Sequence, residues 1–419
     1  MAIDARWCAM NRKILFVTYG GGHSAMVLPV IKQLRLLEPE TDCVLLALTT
    51  AYATAIKAGE QPLGYKDLLH LVDAKQALRW GESLLTGNSS PDVSREETIA
   101  YLGINYLDLI AQHGIDGAAD CYAKKGRYGF APMHLMRRLI QNIQPDVVVA
   151  TNSPRSEEAA LAVSKEMDIP SVGMVDLFGL DSDTYVKRQI KPDWTCVIAD
   201  SVRDRLVQRG FAPDGIQVTG NPAFDGLFAP RNLELAQAFL AKKGWVGKDV
   251  IFNAGIWEAV AHPNTDIPAG RSFPMEIEAI LRRYVASRPN TALIQRYHPG
   301  DWFKYPRLPD EPNVHFSEPP HEPIHPLLLA SSVVVNTNST VGLEAAVAGK
   351  PVISIENSPS VHEWFSLAQL GVSHPSATQR DLPYTLDAVL THRRGSTAFS
   401  SDGQAAQRVA QVICNALRA

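Results

Sequence analysis

A series of short, almost continuously apolar segments constrains the fold of this chain more than any other sequence feature. Such segments begin at Lys13, Cys43, Asp146, Ser171, Trp194 and Ile216, and after a gap at Asp249, Thr291, Ser332 and Pro351. Runs that are rich in β-branched residues and lack polar alternation are typical of parallel strands whose sheet is covered by helices on both faces. Helical patterns separate them, as in Val27, Val30, Ile31 and Leu34. The sequence therefore predicts an α/β protein with doubly wound parallel sheets.

The run of strands is interrupted once, and this interruption predicts the domain boundary. Residues 225–248 carry one helical pattern and no apolar strand. We therefore predict two Rossmann-like domains, facing each other across a cleft. The expected division is an N-terminal domain (1–225), a linker (226–248), a C-terminal domain (249–403) and a C-terminal helix (404–419). The segment 74–128 shows no clear strand and is expected to be mixed helix and loop, in the manner of a lid or an acceptor-side insertion.

Composition excludes several classes of protein. The 419 residues are 46% hydrophobic and 20% charged, which is the balance of a globular protein rather than a disordered one. A net charge of −4 provides no positive field for nucleic acid, so no nucleic-acid partner is expected. No apolar stretch reaches the length of a transmembrane helix.

The cysteines and the N-terminal residues indicate the cellular compartment in which the protein is expected. The five cysteines are scattered and form no Cys-x-x-Cys pair, which argues against a disulfide framework and favours a reducing compartment. The first residues lack the apolar core of a secretory signal. We therefore expect a cytoplasmic protein, with attachment to the inner face of the membrane left open.

A glycine-rich loop follows the first strand and opens the first helix. Gly20, Gly21 and Gly22 precede His23, and glycines there allow backbone N–H groups to approach a ligand. The loop is neither a dinucleotide fingerprint, since Ala25 replaces the third glycine, nor a phosphate-binding P-loop. An imidazole at this position can accept a proton from a hydroxyl group. The alternative is a tight turn followed by an exposed histidine.

A second candidate site begins where the strand starting at Ser332 ends. Asn338, Ser339 and Thr340 precede the first turn of a helix, where hydroxyl and N–H groups can hold a phosphate. Glu344, about one turn further on, can accept hydrogen bonds from a ribose diol. The alternative is an ordinary N-cap with a glutamate near the helix start.

Two further strand ends carry candidate donor-binding residues. Arg296 and His298 follow the strand that begins at Thr291, and both side chains can donate to phosphate oxygens. Gly255 ends the strand that begins at Asp249, where a residue without a side chain admits a diphosphate.

No metal site is expected. Asp181 and Asp183 match the short Asp-x-Asp pattern of metal-dependent glycosyltransferases, but so short a pattern arises by chance. His315, His321 and His325 lie in a proline-rich stretch, which prevents the helical pairing of metal ligands. Solvated histidines are the favoured interpretation.

Taken together, these motifs resemble those of the GT-B class of nucleotide-sugar enzymes. The loop VTYGGGHSAMVLPVIKQL is similar to the first loop of the lipid-intermediate N-acetylglucosaminyltransferases, and residues 146–175 resemble a region shared with UDP-N-acetylglucosamine 2-epimerases. The segments VTGNPAFD, from Val218, and NTNSTVGLEAAVAGKPVIS, from Asn336, match the element before the interdomain linker and the donor-binding helix. His298-Pro299 is similar to an element that several bacterial families use on a donor phosphate.

The resemblance implies roles for particular residues. It implies His23 as the catalytic base, and Gly255, His298, Ser339 and Thr340 around the donor phosphates. It also implies Glu344 on the ribose or sugar, and a last helix that returns to the first domain.

The function expected from the sequence is a metal-independent glycosyltransferase. It would move a sugar from a nucleotide-sugar, expected to be a UDP-sugar, to a hydroxyl acceptor that is unknown and is either lipid-linked or free, with inversion. Such enzymes act in bacterial glycan, glycolipid or natural-product glycosylation. No cofactor is expected, because the nucleotide-sugar is a substrate.

Two alternatives remain open. One is a nucleotide-sugar 2-epimerase or hydrolase on the same fold, disfavoured because its His-x-x-x-Glu-Asn and Gly-Asp-Arg elements are absent. The other is a non-catalytic nucleotide-sugar binding protein.

Overall fold

The computed structural model describes residues 12–20, 22–86, 93–176, 178–180, 184–309, 311–392 and 402–418. The chain divides into two compact units: unit 1 comprises Met1–Ala223 with Gln404–Ala419, and unit 2 comprises Phe224–Gly403. Each unit contains a six-stranded sheet in which every neighbouring pair of strands is parallel. The predicted fold class, α/β with two Rossmann-like domains, is confirmed.

Unit 1 is built on strands in the spatial order β2-β1-β3-β4-β5-β6. The strands are β1 (Lys13–Thr18), β2 (Asp42–Ala47), β3 (Val147–Thr151), β4 (Ser171–Met174), β5 (Trp194–Val197) and β6 (Ile216–Val218). The helices are α1 (Gly22–Leu37), α2 (Thr50–Lys57), α3 (Ala74–Ser83), α4 (Arg95–Lys125), α5 (Met133–Ile143), α6 (Ser156–Glu166), α7 (Thr184–Lys187), α8 (Asp200–Gln208) and α15 (Ala405–Ala416). Short 3₁₀ helices span Tyr65–Leu71, Gly126–Gly129 and Pro213–Gly215, and a further one spans Pro222–Phe224 where the units meet in sequence.

Both faces of the unit 1 sheet are buried, which explains the continuous apolar runs. Successive residues of a strand point to opposite faces. Leu15 and Val17 accordingly belong to one hydrophobic cluster, and Ile14 and Phe16 to another. A strand that is covered on both sides needs apolar residues at every position.

Unit 2 has the strand order β12-β11-β10-β7-β8-β9. Its strands are β7 (Asp249–Gly255), β8 (Thr291–Tyr297), β9 (Val314–Ser317), β10 (Val333–Asn336), β11 (Val352–Ile355) and β12 (His374–Ser376). Its helices are α9 (Pro230–Lys243), α10 (Ser272–Ala286), α11 (Ile324–Ala330), α12 (Thr340–Val347), α13 (Pro359–Glu363) and α14 (Leu382–His392), with a 3₁₀ helix at Trp302–Lys304.

Each sheet reverses its winding direction once, and this defines where ligands bind. In unit 2 the reversal lies between the neighbouring strands β7 and β10, and in unit 1 it lies between β1 and β3. In open parallel sheets the loops that leave the two strands at such a switch point run in opposite directions and leave a crevice at the carboxyl ends. The residues after β7, β10, β1 and β3 therefore lie where open parallel sheets bind their ligands.

Two strands escaped the sequence prediction. β9 and β12 are edge strands of four and three residues, and their sequences, VHFS and HPS, contain polar residues and a proline. Edge strands are exposed on one side, so they need neither continuous apolar character nor every N–H group. The prediction from apolar runs therefore finds the apolar edge strands β2 and β6 and misses the short, polar β9 and β12.

The segment 74–128 is part of the body of unit 1. It contains α3 and α4, and α4 changes direction at Gly114, whose φ of 73° lies in the left-handed region. Leu102, Ile104 and Leu109 of α4 are fully buried in the same cluster as Leu15. The described residues are mostly helical and cover one face of the sheet, and the expectation of a lid or an acceptor-side insertion stays a prediction.

Helix α9 lies in the segment expected to be a linker and groups with unit 2. Helix α15, the last of the chain, groups with unit 1, where Val409 and Ile413 are fully buried beside Phe16. Within the described residues no helix is long and apolar enough to cross a membrane.

Replacing Ile413 with alanine should destabilise unit 1. Ile413 is 0% exposed, and truncation of a buried isoleucine costs about 2–5 kcal/mol of the free energy of unfolding. The matched control is Gln411→Ala on the exposed face of the same helix, which should change stability by less than about 0.5 kcal/mol. Urea unfolding monitored by fluorescence and circular dichroism tests this, and equal stability of the two variants would show that α15 contributes little to the unit 1 core.

Candidate functional site

A cavity of about 260 Å³ lies at the switch point of unit 2. It is lined by the ends of β7 and β8 and by the first turns of α12. Six residues predicted from the sequence line it: Gly255, Arg296, His298, Ser339, Thr340 and Glu344. The structure thus brings together residues that are up to 89 positions apart in the chain. Their roles in binding remain predictions.

The start of α12 is held by a side chain from the end of β10. Asn336 donates from Nδ2 to the carbonyl oxygen of Ser339 at 2.8 Å and accepts from the Ser339 N–H at 2.9 Å. Ser339 then caps the helix, since its Oγ accepts from the N–H of Val341 at 3.3 Å. The N-cap interpretation of this motif is therefore correct locally. An N-cap and a phosphate site are compatible, because the remaining N–H groups of a first helical turn favour an anion.

Close packing beneath this turn explains a glycine of the motif. A Cβ atom on Gly342 would lie 2.2 Å from Nδ2 of Asn336 and 2.5 Å from Cδ1 of Leu367. Any side chain at this position would displace Asn336 and with it the start of α12. Gly342 therefore maintains the geometry of the turn.

Asn338, the remaining predicted donor residue, does not line the cavity. It is buried, and its Nδ2 donates to the carbonyl oxygen of Ser360 at 3.2 Å. Ser360 in turn donates from its N–H, at 2.9 Å, and from its hydroxyl to the carboxylate of Glu258, which is fully buried. Asn338 thus ties the loop before α12 to the loops after β7 and β11. It supports the cavity from outside.

The Arg296 guanidinium is fixed by neighbouring segments. Its Nη1 donates to Ser317 Oγ at 2.8 Å and to the carbonyl oxygen of Glu322 at 2.9 Å. Burial lowers the pKa of Arg296, and the carboxylates of Glu322 and Glu344 oppose this effect. A fixed, partly desolvated cation at the end of β8 suits the binding of phosphate oxygens.

His298 presents one ring nitrogen beyond the end of β8. Its ring Nδ1 accepts from the backbone N–H of Gly300 at 3.1 Å, and the backbone N–H of His298 donates to the carbonyl oxygen of Gly255 at 2.9 Å. When the ring is neutral, an accepting Nδ1 places the proton on Nε2. His298 is therefore oriented to donate one hydrogen bond from Nε2.

Glu344 and Gly255 complete the lining. The Oε2 atom of Glu344 lies 3.5 Å from Nε2 of His325, which orients the carboxylate. A Cβ atom on Gly255 would lie 2.6 Å from the ring of Tyr297, which is stacked on Tyr305 with ring centres 3.6 Å apart. Gly255 is thus required by the packing of Tyr297 as well as suited to the approach of a ligand.

Unit 1 carries a separate polar cluster at its own switch point. Gly22 begins α1, Gly20 lies before it and Gly21 lies outside the described residues. A Cβ atom on Gly20 would lie 2.0 Å from the hydroxyl of Thr50, so packing requires this glycine. His23, in the first turn of α1, lies with Nε2 3.8 Å from Oδ2 of Asp176. Nδ1 of His23 and Oδ1 of Asp176 are buried and have no hydrogen-bond partner among the described residues.

Asp176 was missed by sequence reasoning although a signal was present. It follows β4 directly, just as His23 follows β1, and its N–H approaches Oδ1 of Asn152, after β3, at 3.5 Å. Asp176 and Asn152 each lie within two residues of the end of a parallel strand, where functional residues are expected. The position of these two side chains is therefore the sequence signal that points to them.

Glu157, in the first turn of α6, is the most perturbed carboxyl group near this cluster. It is 1% exposed, and burial raises its pKa from the ordinary 4.5 to about 8, against opposing interactions with Arg155 and Arg188. Its Oε1 lies 3.5 Å from the hydroxyl of Thr151. Near neutral pH a large fraction of Glu157 is therefore protonated.

The histidines of the proline-rich stretch are distributed among different carboxylates. His315, on β9, lies 2.9 Å from Glu322, His321 lies 4.0 Å from Glu318, and His325 lies near Glu344. No group of three metal-ligating side chains occurs in the part of the chain that the structure describes. The Asp181–Asp183 pattern lies outside that part.

Comparison with known proteins identifies the family. The family model described as UDP-N-acetylglucosamine 2-epimerase matches residues 191–414, more than half of the chain. The chain belongs to the UDP-N-acetylglucosamine 2-epimerase family. No curated protein sequence matches it.

Solved structures show the same fold at low sequence identity. A co-structure of S. aureus MnaA with UDP has a TM-score of 0.57 at 14% identity and covers 97% of each chain. The UDP-GlcNAc 2-epimerase from Neisseria meningitidis bound to UDP-GlcNAc has a TM-score of 0.55 at 13% identity, covering 96% of this chain and 100% of that one. The Methanocaldococcus jannaschii UDP-GlcNAc 2-epimerase in complex with UDP-GlcNAc and UDP has a TM-score of 0.57 at 13% identity, covering 96% and 99%.

The prediction of a glycosyltransferase is wrong. The match to the epimerase family overturns it, together with the predicted sugar transfer, inversion and hydroxyl acceptor, because an epimerase rearranges one molecule and needs no acceptor. The argument from absent epimerase elements also failed. A phosphate cradle at a strand end binds the same nucleotide whatever happens to the sugar, so the motifs around Ser339 do not distinguish these reactions. The resemblance to GT-B nucleotide-sugar enzymes, including the 2-epimerases, is confirmed.

Replacing Glu157 with glutamine should change how stability depends on pH. Because the pKa of Glu157 is raised in the folded state, this group favours folding below pH 4.5, and that contribution is lost as pH rises through about 8. Glutamine stays neutral, so the melting temperature of Glu157→Gln relative to the natural chain should rise between pH 5 and pH 9. The control is Glu158→Gln, the same change at the less buried neighbour, which should run parallel to the natural chain. Parallel curves for Glu157→Gln as well would refute a buried, protonated carboxyl group.

Proposed function

We propose that this protein is a nucleotide-sugar 2-epimerase that acts on a UDP-N-acetylhexosamine and inverts the configuration at C2 of the sugar. The observation that carries the proposal is the cavity of unit 2, whose lining combines a helix N-terminus, a buried arginine and a histidine donor in a member of this family. The named relatives that are bound to UDP or UDP-GlcNAc support the choice of nucleotide.

The lining of the cavity suits a nucleoside diphosphate. The first turn of α12 and the hydroxyls of Ser339 and Thr340 offer donors to phosphate oxygens, and the helix dipole favours their charge. The Arg296 guanidinium and Nε2 of His298 provide further donors from the end of β8. Glu344 provides two acceptor oxygens for a ribose diol.

The phosphate donors also have a role in the proposed reaction. Inversion at C2 requires that the C2–H bond breaks. Loss of that proton together with the diphosphate on C1 leaves a C1=C2 double bond. Return of the diphosphate to C1, with a proton delivered to the opposite face of C2, gives the epimer with no atom gained or lost. Donors that hold the departing diphosphate stabilise its developing charge and keep it available for return.

Proton transfer at C2 is assigned to His23 and Asp176 of unit 1. Imidazole and carboxylate groups are general acids and bases, and these two lie 3.8 Å apart at a switch point. The buried atoms Nδ1 of His23 and Oδ1 of Asp176 lack partners among the described residues, as expected of groups that bind a substrate.

The test is to incubate the protein with UDP-N-acetylglucosamine in D₂O and to follow the reaction by proton NMR. Epimerisation predicts the appearance of the C2 epimer as a UDP-sugar, with deuterium from the solvent at C2 of the product. Formation of UDP and free sugar alone would indicate a hydrolase, and binding of UDP without any turnover would indicate a non-catalytic binding protein; either result contradicts the proposal.

Variants connect the activity to the assigned groups. His23→Ala should lower turnover by a factor of about 100 or more while UDP affinity stays unchanged, because the nucleotide is assigned to unit 2. The control is His134→Ala at an exposed histidine of α5, which should retain activity. Near-full turnover of His23→Ala would reject the base assignment while leaving the epimerase proposal in place.

The cytoplasmic location expected from the sequence remains a prediction, and attachment to the inner membrane face has no support.

A further inference from the structure

Unit 1 contains a second cavity, of about 480 Å³, that the proposed reaction does not use. It lies between the 3₁₀ turn Gly126–Gly129, the start of α6 and the chain that leaves α7. Its size falls within the range of about 300–1,000 Å³ that is usual for small-molecule pockets. We call it the Arg188 cavity. It shares no lining residue with the cavity of unit 2.

The lining of the Arg188 cavity is strongly basic. The charged side chains are Lys125, Arg155, Lys187 and Arg188 against one carboxylate, Glu158. Four positive charges and one negative charge leave an excess of three positive charges. Such a concentration of one sign in a concave surface attracts anions.

Arg188 is the decisive member, because its guanidinium is buried and makes no hydrogen bond among the described residues. The residue is 5% exposed, and Nε, Nη1 and Nη2 make no hydrogen bond to any residue that the structure describes. The guanidinium carbon lies 3.9 Å from the centre of the Tyr185 ring, a cation–π contact. This contact gives the N–H groups no hydrogen-bond acceptor oxygen, so these donors for oxyanions remain unsatisfied among the described residues.

A buried guanidinium with no partner is costly and calls for an explanation. The nearby buried carboxylate of Glu157 does not supply one, because none of its hydrogen-bond partners is Arg188 and it takes up a proton readily. Arg155 differs from Arg188 because it already has a hydrogen-bond partner: its Nη1 donates to the hydroxyl of Tyr101 at 3.3 Å. An external oxyanion would satisfy Arg188.

We propose that the Arg188 cavity binds a phosphate group, carried by a small molecule or free in solution, with Arg188 as its principal hydrogen-bond donor. The basic side chains of Lys125 and Lys187, both exposed at the rim, complete the charge balance for a dianion. This site lies outside the nucleotide cavity and goes beyond the proposed epimerase reaction.

The experiment compares melting temperatures in inorganic phosphate and in chloride at equal ionic strength. The variants are Arg188→Met and a matched control, Arg137→Met, which removes a half-exposed arginine that pairs with Glu166 on the surface. Phosphate should raise the melting temperature of the natural chain and of Arg137→Met by about 2 °C or more, by mass action, and should raise that of Arg188→Met clearly less, since only the unit 2 cavity then remains for the anion. In chloride, Arg188→Met should melt at the same temperature as the natural chain or higher, because an unpaired buried charge has been removed.

Other outcomes overturn the proposal. No phosphate-dependent shift in the natural chain would refute the site, and an equally large phosphate shift in Arg188→Met would assign the anion to other residues. A large loss of stability of Arg188→Met in chloride would mean that Arg188 has structural partners. Should that variant fail to fold, Lys125→Gln/Lys187→Gln, changed only at the rim, should bind phosphate at least about tenfold more weakly, and unchanged affinity would contradict the proposal.

A parallel titration with UDP separates this site from the nucleotide site. Arg188→Met should be stabilised by UDP as much as the natural chain is. If it loses stabilisation by both UDP and inorganic phosphate, Arg188 belongs to the nucleotide site and the separate phosphate site is refuted. If UDP stabilises neither protein while phosphate stabilises only the natural chain, the nucleotide proposal fails and the Arg188 cavity stands.

Discussion

The contact between Asn336 and Ser339 is the interaction on which the unit 2 site depends. Two hydrogen bonds, of 2.8 and 2.9 Å, join the last residue of β10 to the N-cap of α12 and thereby set the direction of the helix N-terminus. The absence of a side chain at Gly342 leaves the space that the Asn336 side chain occupies. Because β10 neighbours β7 at the switch point, this helix start lies beside the ends of β7 and β8. A parallel sheet thus turns a local cap into part of a binding cavity.

The sequence predicted the buried strands and most of the unit 2 site for the same physical reason. Strands that are covered on both faces are apolar throughout, and polar residues immediately after them are then conspicuous, as with Arg296, His298 and Ser339. β9 and β12 were missed because these short edge strands, VHFS and HPS, contain polar residues and a proline and form no apolar run. Arg188 and Glu157 were missed because a single charged residue gives no pattern. Their importance comes from burial and from missing partners, which only the folded chain reveals.

The reaction class could not be predicted from these motifs, because the residues that bind a diphosphate are not the residues that react with the sugar. Donors for a diphosphate are the same whether the sugar is transferred or epimerised. The distinction depends on the groups around one sugar carbon, for which His23 and Asp176 are proposed, and Asp176 belongs to no contiguous motif. Membership of the epimerase family came from a match over residues 191–414 as a whole. The buried, incompletely paired polar groups of unit 1 fit a protein that has sacrificed some stability for binding and catalysis.

The central claim is that the cavity lined by Arg296, His298, Ser339 and Glu344 binds the nucleotide, and a crystal structure of the protein with UDP tests it most directly. The account predicts the diphosphate within hydrogen-bonding distance of the first turn of α12 and the ribose hydroxyls at Glu344. A diphosphate bound elsewhere, with Ser339 and Thr340 making no contact to it, would contradict the account.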